Sequence, residues 1–192
     1  KSAISDEEVI HQEKNGFLWY FRYPITDLNE CVVVATTRPE TMLGDAAVAV
    51  HPDDDRYKNY IGSTITLPLV ERRVPIIADE FVDPDFGTGC VKVTPAHDPN
   101  DFSLGERHNL EFINIMNDDA SLNSNVPEKY QNMTREEARE QVVQDLKSMG
   151  LIEKIEDHVH QVGLSERGHV PIEFYMSDQW FMKMTDLAGP AI

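Results

Sequence analysis

The sequence is short of cysteine and of long apolar runs, and each shortage excludes a class of protein. Its two cysteines, Cys31 and Cys90, each lie in a valine-rich run, which is typical of buried free thiols in a reducing compartment. No cysteines are closely spaced, so a structural zinc site has little support. No apolar run is long enough to cross a bilayer, and the first residues do not resemble a signal peptide. We therefore expect a cytoplasmic protein with no membrane partner.

Positive charge is also scarce, which limits how the chain could bind nucleic acid. Only 17 Lys and Arg residues stand against 34 Asp and Glu residues, and the formal net charge is −17. A protein that binds nucleic acid by itself is usually basic on at least one face. We therefore expect either that nucleic acid is not the partner or that something outside this chain holds most of it.

The composition that remains is that of a folded domain dominated by short strands. The 192 residues are 41% hydrophobic, enough for one sizeable core. The lack of an initiator methionine and the apolar C-terminal residues lead us to expect a piece of a longer chain. Close spacing of strands with few helices between them indicates a barrel or a curled sheet. The predicted strands are 17–23, 31–35, 46–50, 63–67, 74–78, 90–94 and 151–162, of which 31–35 is expected to be buried on both faces.

Two helices interrupt this pattern. Asp98 followed by proline predicts a helix start, with a short helix over 102–108. Thr134 and Glu137 form a capping box that predicts a longer helix over 136–149, and Gly150 suits its left-handed end. Segment 117–131 is polar and irregular, which indicates a loop.

Segment 36–41, with the sequence TTRPET, follows a predicted buried strand. Its hydroxyls and guanidinium form a polar cluster at the rim of a core, and Thr36, Thr37 and Arg38 are candidates for contact with a ligand. The alternative is an ordinary turn with a solvated arginine, because turns favour Thr and Pro.

Segment 86–89, with the sequence FGTG, is a glycine turn that begins at Phe86. Glycine allows backbone to approach a ligand closely. On this segment alone, a plain turn is the favoured interpretation.

Segment 92–101 carries the densest set of functional side chains. Lys92 and Thr94 share one strand face because side chains alternate along a strand. Asp98 and Asp101 cluster at a predicted helix start, where backbone amides favour ionised acids. The alternative is that Asp98 is only a helix cap and Asp101 only a first-turn acid.

Metal-dependent and covalent hydrolysis are less well supported. His97 lies beside Asp98, and His158 and His160 share one strand face, so the residue types permit a metal site. Nothing links these segments beyond composition, and a surface strand explains the last two histidines, so we expect no metal and no cofactor. A covalent hydrolase lacks both a Gly-x-Ser-x-Gly motif and a cysteine beside an activating base.

Taken together, segments 36–41, 86–89 and 96–101 resemble three motifs of the editing domains of valyl-, isoleucyl- and leucyl-tRNA synthetases: a Thr-rich peptide, a glycine turn and an acidic substrate-binding segment. Their order and spacing match, over about Phe17 to Trp180. Segment 92–98, KVTPAHD, is similar to the valine enzyme's version, whereas the isoleucine enzyme usually has His and Ala in place of its Lys and Thr. The leucine enzyme usually lacks this Lys-x-Thr pair too. Segment 178–184 resembles the point where the valine enzyme's chain re-enters its aminoacylation domain.

The resemblance implies an α+β, predominantly β fold with a barrel-like core and peripheral helices. It implies connectors at 1–16 and 171–192 around an editing domain at 17–170, and no aminoacylation, because the ATP-binding signatures are absent. The implied reaction is hydrolysis of threonine from mischarged tRNA(Val) by a positioned water. The implied partners are the 3′ end of that tRNA and the remainder of the parent synthetase.

The resemblance also implies roles for individual residues. Asp98 would hold the α-ammonium group of the substrate, and Asp101 would accept the hydroxyl of threonine. Thr36 and Thr37 would position the water. The remaining substrate-binding residues would line the pocket: Arg38, Phe86, Lys92 and Thr94. The alternatives are the isoleucine enzyme's editing domain, which removes valine, a non-catalytic acidic docking module, and a metal-dependent hydrolase.

Overall fold

The structure is a computed structural model that describes residues 4, 6–176, 180 and 184. Segment 178–184 falls outside the described residues except for Trp180 and Met184, so its resemblance stays a prediction. Among the described helices, none combines the length and the apolar character needed to cross a membrane.

The first sheet has three antiparallel strands in the order β2-β1-β7. Strand β1 spans Val9–Pro24, β2 spans Cys31–Thr36 and β7 spans Ile152–Ser165. β1 begins eight residues before the predicted strand because Val9–Gly16 pairs with the far end of β7, as a two-stranded ribbon. The pairing therefore runs through the N-terminal stretch that we expected to be a connector.

The second sheet has four strands in the order β4-β5-β3-β6, with β3 and β5 parallel and the other pairs antiparallel. One isolated bridge, Ile25 to Ile65, joins it to the first sheet. The described strands thus form two curled sheets around a main core, without closing into a barrel. The strands span Ala47–Val50 (β3), Thr64–Thr66 (β4), Arg73–Ala78 (β5) and Cys90–Val93 (β6).

Within residues 6–176, two α-helices pack outside the sheets, which confirms the α+β, predominantly β fold. Helix α1 spans Pro99–Arg107 and helix α2 spans Arg135–Ser148. The capping box of α2 is present, and Gly150 has the predicted left-handed backbone, with φ of 69°. Short 3₁₀ helices span Asp6–Glu8, Pro39–Gly44, Lys58–Tyr60 and Glu128–Tyr130.

Strand β2 corrects two expectations. Only one of its faces is buried, by Val32, Val34 and Thr36, while Val33 on the other face stays partly exposed. Cys31 is exposed rather than buried, because it begins the strand on the partly open face. Cys90 is buried as expected, and both thiols are free.

The main core lies between the two sheets and α2. Phe21 and Tyr23 of β1, Ile65 of β4 and Val142 of α2 are all fully buried in it. Strands β2 and β6 contact each other beside this core, and polar side chains follow at the end of each strand. These two strand ends form one side of an open cavity.

Candidate functional site

The open cavity has a volume of about 370 Å³ and contains every site residue predicted from the sequence. It lies between the end of β2, the loop from β6 to α1, the glycine turn and the outer half of β7. The predicted residues that line it are Thr36, Thr37, Arg38, Phe86, Lys92, Thr94, Asp98 and Asp101. Three segments that are far apart in sequence therefore meet, as a shared binding site requires.

The end of β2 supplies a braced arginine to the cavity wall. The backbone N–H of Arg38 donates to Thr36 Oγ1 at 3.0 Å, which turns the chain sharply after the strand. The Arg38 guanidinium donates to the backbone oxygen of His97 at 3.0 Å and forms an ion pair with Glu173. With 29% of its side chain exposed, Arg38 is fixed at the cavity rim instead of extending freely into solvent.

A buried carboxylate stands behind this wall. Glu40 is fully buried and receives two hydrogen bonds from Arg139 of α2, at 2.8 and 2.9 Å. Burial opposes ionisation, but the hydrogen bonds and charge of Arg139, with the charge of Arg38, lower the pKa of Glu40 below its ordinary value. The ion pair ties α2 to the turn that carries Arg38.

The floor of the cavity is a buried polar cluster at the end of β6. Lys92 of β6 and Thr94, which directly follows the strand, point to the same side, as predicted, and the Lys92 ammonium donates to Thr94 Oγ1. Both side chains also donate to Asp45, the ammonium at 3.0 Å and the hydroxyl at 2.6 Å. Asp45 follows the 3₁₀ helix after β2, so it joins the two motif segments beneath the cavity.

The start of α1 carries the two predicted acids. Asp98 is the N-cap, and its Oδ1 accepts the backbone N–H groups of Asn100 at 2.8 Å and Asp101 at 3.2 Å. Its Oδ2 has no hydrogen-bond partner in the part of the chain that the structure describes. Capping therefore occupies one oxygen of Asp98 and leaves the other for a ligand.

Asp101 is held in a similar way, since its Oδ2 accepts the backbone N–H of Thr94 at 2.8 Å. Burial raises the pKa of Asp101 to about 6, and the neighbouring Lys92 charge opposes that rise. Desolvation thus outweighs the backbone hydrogen bond from Thr94, so burial opposes the stabilising effect that we expected the helix start to have on ionised Asp101. Asp101 therefore combines a carboxyl of raised pKa with a fixed position one helical turn from Asp98.

His97 lines the cavity but is held as a structural residue. Its Nε2 accepts the backbone N–H of Ile115 at 3.0 Å, and its Nδ1 lies 3.4 Å from the backbone oxygen of Phe174. Burial and the Arg38 charge lower the pKa of His97 to about 4, so the ring is neutral at pH 7. With both nitrogens engaged by backbone, His97 is not suited to be a metal ligand or a general base.

Phe86 stands at the mouth of the cavity with 73% of its surface exposed. The turn that carries it has Gly87 and Gly89 at positive φ, 61° and 70°, where glycine is strongly preferred. A Cβ on Gly89 would lie 2.8 Å from the backbone oxygen of Pro84. The turn therefore presents a large ring without burying it.

His158 and His160 of β7 form one wall of the cavity, although the sequence analysis explained them as residues of a surface strand. Both line the cavity, with their rings stacked at 6.2 Å between centroids. The His160 ring packs against Gly16 of β1, where a Cβ would lie 2.7 Å from its Cε1. The alternation of side chains along β7 predicted that the two histidines share one face. The pairing of β7 with β1 then turns that face towards the cavity.

The described residues hold no group of three or more His, Cys, Asp or Glu side chains arranged to bind a metal ion. A second cavity of about 380 Å³ lies beside α2. It is lined by partly or fully exposed amides and acids such as Gln131, Glu137 and Gln144, without a buried polar cluster. The first cavity is therefore the candidate site.

Comparison with known proteins places the chain in a family. Residues 53–160, more than half of the chain, match the family model described as "Leucyl-tRNA synthetase, editing domain". Over all 192 residues, the chain is 59% identical to a valine–tRNA ligase of Synechocystis, 57% to one of Geobacillus kaustophilus and 56% to one of Francisella tularensis. The chain spans about a fifth of the length of these relatives.

A solved structure shares the fold. The LeuRS chain in the Agrobacterium radiobacter K84 LeuRS-tRNA-LeuAMS ternary complex matches 81% of this chain with a TM-score of 0.54 and 20% identity. The match covers 21% of that LeuRS chain. At this identity the likeness concerns the fold alone.

Proposed function

The chain belongs to the editing-domain family of the aminoacyl-tRNA synthetases, and we propose that its cavity hydrolyses the ester of mischarged Thr-tRNA(Val). The observation that carries this proposal is the convergence of Asp98, Asp101, Arg38 and Lys92 on one cavity. Two carboxyls beside two cations match a substrate with an ammonium group at one end and nucleotide phosphate at the other.

The choice of threonine rests on a physical limit to discrimination. A hydrophobic valine pocket cannot strongly reject threonine, which is nearly isosteric, and valyl-tRNA synthetase is the standard example, at about a hundredfold. A second site must therefore accept threonine and exclude valine. A polar site does so by pairing with the hydroxyl, because bound valine would leave a buried polar group without a partner.

The two acids divide the recognition of the amino acid. Oδ2 of Asp98 holds the α-ammonium group while Oδ1 keeps the helix capped. Oδ1 of Asp101 accepts the threonine hydroxyl while Oδ2 stays on the Thr94 backbone. Each acid thus has one oxygen held by the protein and one that binds the substrate. The two carboxyls are therefore oriented before the substrate binds, and no rearrangement is needed.

The nucleotide end lies towards the mouth of the cavity. The Phe86 ring packs on the substrate or the terminal adenosine, and Arg38 lies near the polar groups of the terminal nucleotide at the rim. Lys92 lies near the same nucleotide at the floor, where the ester joins it to the amino acid. Thr36 and Thr37 position a water for attack on the ester carbonyl. That attack releases threonine and returns a proton to the terminal ribose oxygen. An ester is an activated substrate, so orientation and electrostatics replace a strong base, consistent with the engaged nitrogens of His97.

The partners follow from the charge and the relatives. With a net charge of −17, the chain receives only the 3′ end of tRNA(Val), and the remainder of a parent synthetase holds the rest. Residues 1–16 and 171–192 connect the editing domain, 17–170, to that parent. We place the enzyme in the cytoplasm, where tRNA is charged, and assign no aminoacylation to this chain.

The test is single-turnover hydrolysis of Thr-tRNA(Val) and of Val-tRNA(Ile), the substrate of an isoleucine-type editing domain. We expect the chain to accelerate the first reaction and not the second. Faster hydrolysis of Val-tRNA(Ile) would favour the isoleucine-type alternative. No acceleration of either would favour a non-catalytic docking module.

The Asp98→Asn variant tests the site itself. Asparagine is a good helix cap, so the variant keeps α1 while it removes the charge that holds the ammonium. We expect Asp98→Asn to lose nearly all hydrolysis of Thr-tRNA(Val). Asp119→Asn is the matched control, because Asp119 also accepts a backbone N–H two residues on, but lies in a loop outside the cavity lining. Near-normal turnover by Asp98→Asn would contradict the role of Asp98.

A further inference from the structure

Asp45 lies directly beneath the cavity without lining it, and it is fully buried. Its carboxylate receives three hydrogen bonds. Oδ1 accepts from Lys92 Nζ at 3.0 Å and from Thr94 Oγ1 at 2.6 Å, and Oδ2 accepts from the Tyr23 hydroxyl at 2.8 Å. All three partners are themselves buried. The carboxylate therefore has a complete set of donors and needs nothing from a ligand.

This arrangement determines which protons the cavity floor can offer. Thr94 has one hydroxyl proton, and it is donated to Asp45, so towards a ligand its oxygen can only accept. Lys92 has three protons, and among the described residues it donates to Asp45 and to Thr94. One ammonium proton therefore remains for a ligand in the cavity that Lys92 lines.

Stability alone does not explain such a pair. A buried ion pair is often no more stable than apolar side chains of the same volume, because both charges lose their hydration. The surrounding strands supply such apolar side chains in abundance, with Val48 and Val50 fully buried nearby on β3. A charged pair under the cavity thus indicates a role in the site.

We propose that Asp45, supported by Tyr23, is a positioning residue of the hydrolytic site that aims one Lys92 N–H at the ester end of the substrate and holds Thr94 as an acceptor. This assignment rests on the proposed function. Asp45 touches no substrate and acts only through the two side chains that it holds. Its loss should slow the chemical step more than it weakens binding.

The primary test is Asp45→Asn. The amide can keep its oxygen towards Lys92 and Thr94 while its NH₂ group donates to the Tyr23 hydroxyl, so the variant can fold with the same shape. We expect the maximal single-turnover rate on Thr-tRNA(Val) to fall at least about tenfold, because the neutral amide no longer balances the Lys92 charge and holds its ammonium less firmly, and misplacement of a positioned group is costly. The half-saturating concentration should change far less.

Asp145 provides a matched control. Its carboxylate also accepts from a lysine ammonium, Lys129 at 2.7 Å, and from a tyrosine hydroxyl, Tyr130 at 2.6 Å. It lies on α2 and does not line the cavity. Asp145→Asn should lower the urea midpoint without changing the maximal rate. An Asp45→Asn rate equal to that of Asp145→Asn or of the wild type would overturn the proposal.

A double-mutant cycle separates positioning through Lys92 from a general structural role. In a Lys92→Met background, Asp45→Asn should cause a smaller further loss of rate, because Lys92, one of the two side chains through which Asp45 acts, is gone. The same second change should raise the urea midpoint, because Lys92→Met leaves a buried carboxylate without its cation. An undiminished rate effect of Asp45→Asn in this background would contradict the assignment.

One readout does not depend on hydrolysis. The Lys92 ammonium group is buried, so its protons should exchange slowly with water while Asp45 and Thr94 hold the group in place, giving an NMR signal. That signal should disappear in Asp45→Asn and persist in Asp145→Asn, and its persistence in Asp45→Asn would refute the positioning claim. If the wild-type chain shows the Lys92 signal but does not hydrolyse Thr-tRNA(Val), the proposed function is refuted while the positioning of Lys92 is supported.

Discussion

Gly105→Ala tests whether the fit of α1 against the core sets the geometry of the acids. Gly105 lies one turn after Asp101 on the same helix face. A Cβ at Gly105 would lie 2.8 Å from Pro95 Cβ and 3.0 Å from Phe112 Cζ. Pro95 is buried and Phe112 is braced edge-on by Phe102, with ring centroids 5.2 Å apart, so neither can move away easily.

The magnitude follows from these distances. Carbon atoms pack best at about 3.5–4.0 Å, so α1 must move by roughly 0.7 Å. That shift stretches the 2.8 Å contact between Asp101 and the Thr94 N–H towards the limit of a hydrogen bond, about 3.5 Å. Crowding costs about 1–3 kcal/mol, and the better helix propensity of alanine returns about 1 kcal/mol. The chain should therefore stay folded.

The expected effect is on catalysis. Misplacement by about 1 Å can cost about a hundredfold in rate, so we expect Gly105→Ala to lose about ten- to a hundredfold in single-turnover hydrolysis of Thr-tRNA(Val). Urea unfolding of the same samples establishes that they are folded under assay conditions. Ser103→Ala, on the exposed face of α1, is the control and should leave the rate unchanged. A Gly105→Ala rate within twofold of the wild type would refute the argument that this packing fixes the acids.

Two further predictions concern pH and metal ions. Because burial raises the pKa of Asp101 to about 6, the native state holds this proton more tightly than the unfolded chain, so the stability that Asp101 contributes is full below pH 3.8 and is lost as the pH rises through about 6. Between pH 4 and pH 7, the unfolding free energy of the wild type should therefore fall relative to that of Asp101→Asn. A difference between the two proteins that does not change with pH would contradict the raised pKa. Since the described residues hold no metal-binding group, EDTA should leave hydrolysis of Thr-tRNA(Val) unchanged, whereas loss of activity restored by zinc would support a metal-dependent hydrolase.

The residues that line the cavity could be predicted because each motif contains polar side chains in a pattern that depends only on neighbouring residues. Lys92 and Thr94 share a face by strand alternation, and Asp98 has a helix-start signal next to proline. These short-range rules do not depend on the tertiary fold. The order of the segments along the chain then matched a known family, which connected residues that no spacing rule connects.

What could not be predicted depends on long-range contacts. Asp45 lies in an alanine- and valine-rich run that gives no hint of an acid beneath a site, and Tyr23 looks like any core aromatic. His158 and His160 were interpreted as surface residues because the register of β1 with β7 cannot be predicted from the sequence of either strand alone. The raised pKa of Asp101 likewise reflects burial by distant segments.

The central claim is that Asp101 recognises the threonine hydroxyl in this cavity. The most direct measurement compares single-turnover hydrolysis of Thr-tRNA(Val) with that of another small aminoacyl ester, Ala-tRNA(Val), by the wild type and by Asp101→Ala. We expect Asp101→Ala to lose far more rate on the threonyl ester than on the alanyl ester, so that the preference for threonine collapses. Equal losses on both esters would contradict the claim.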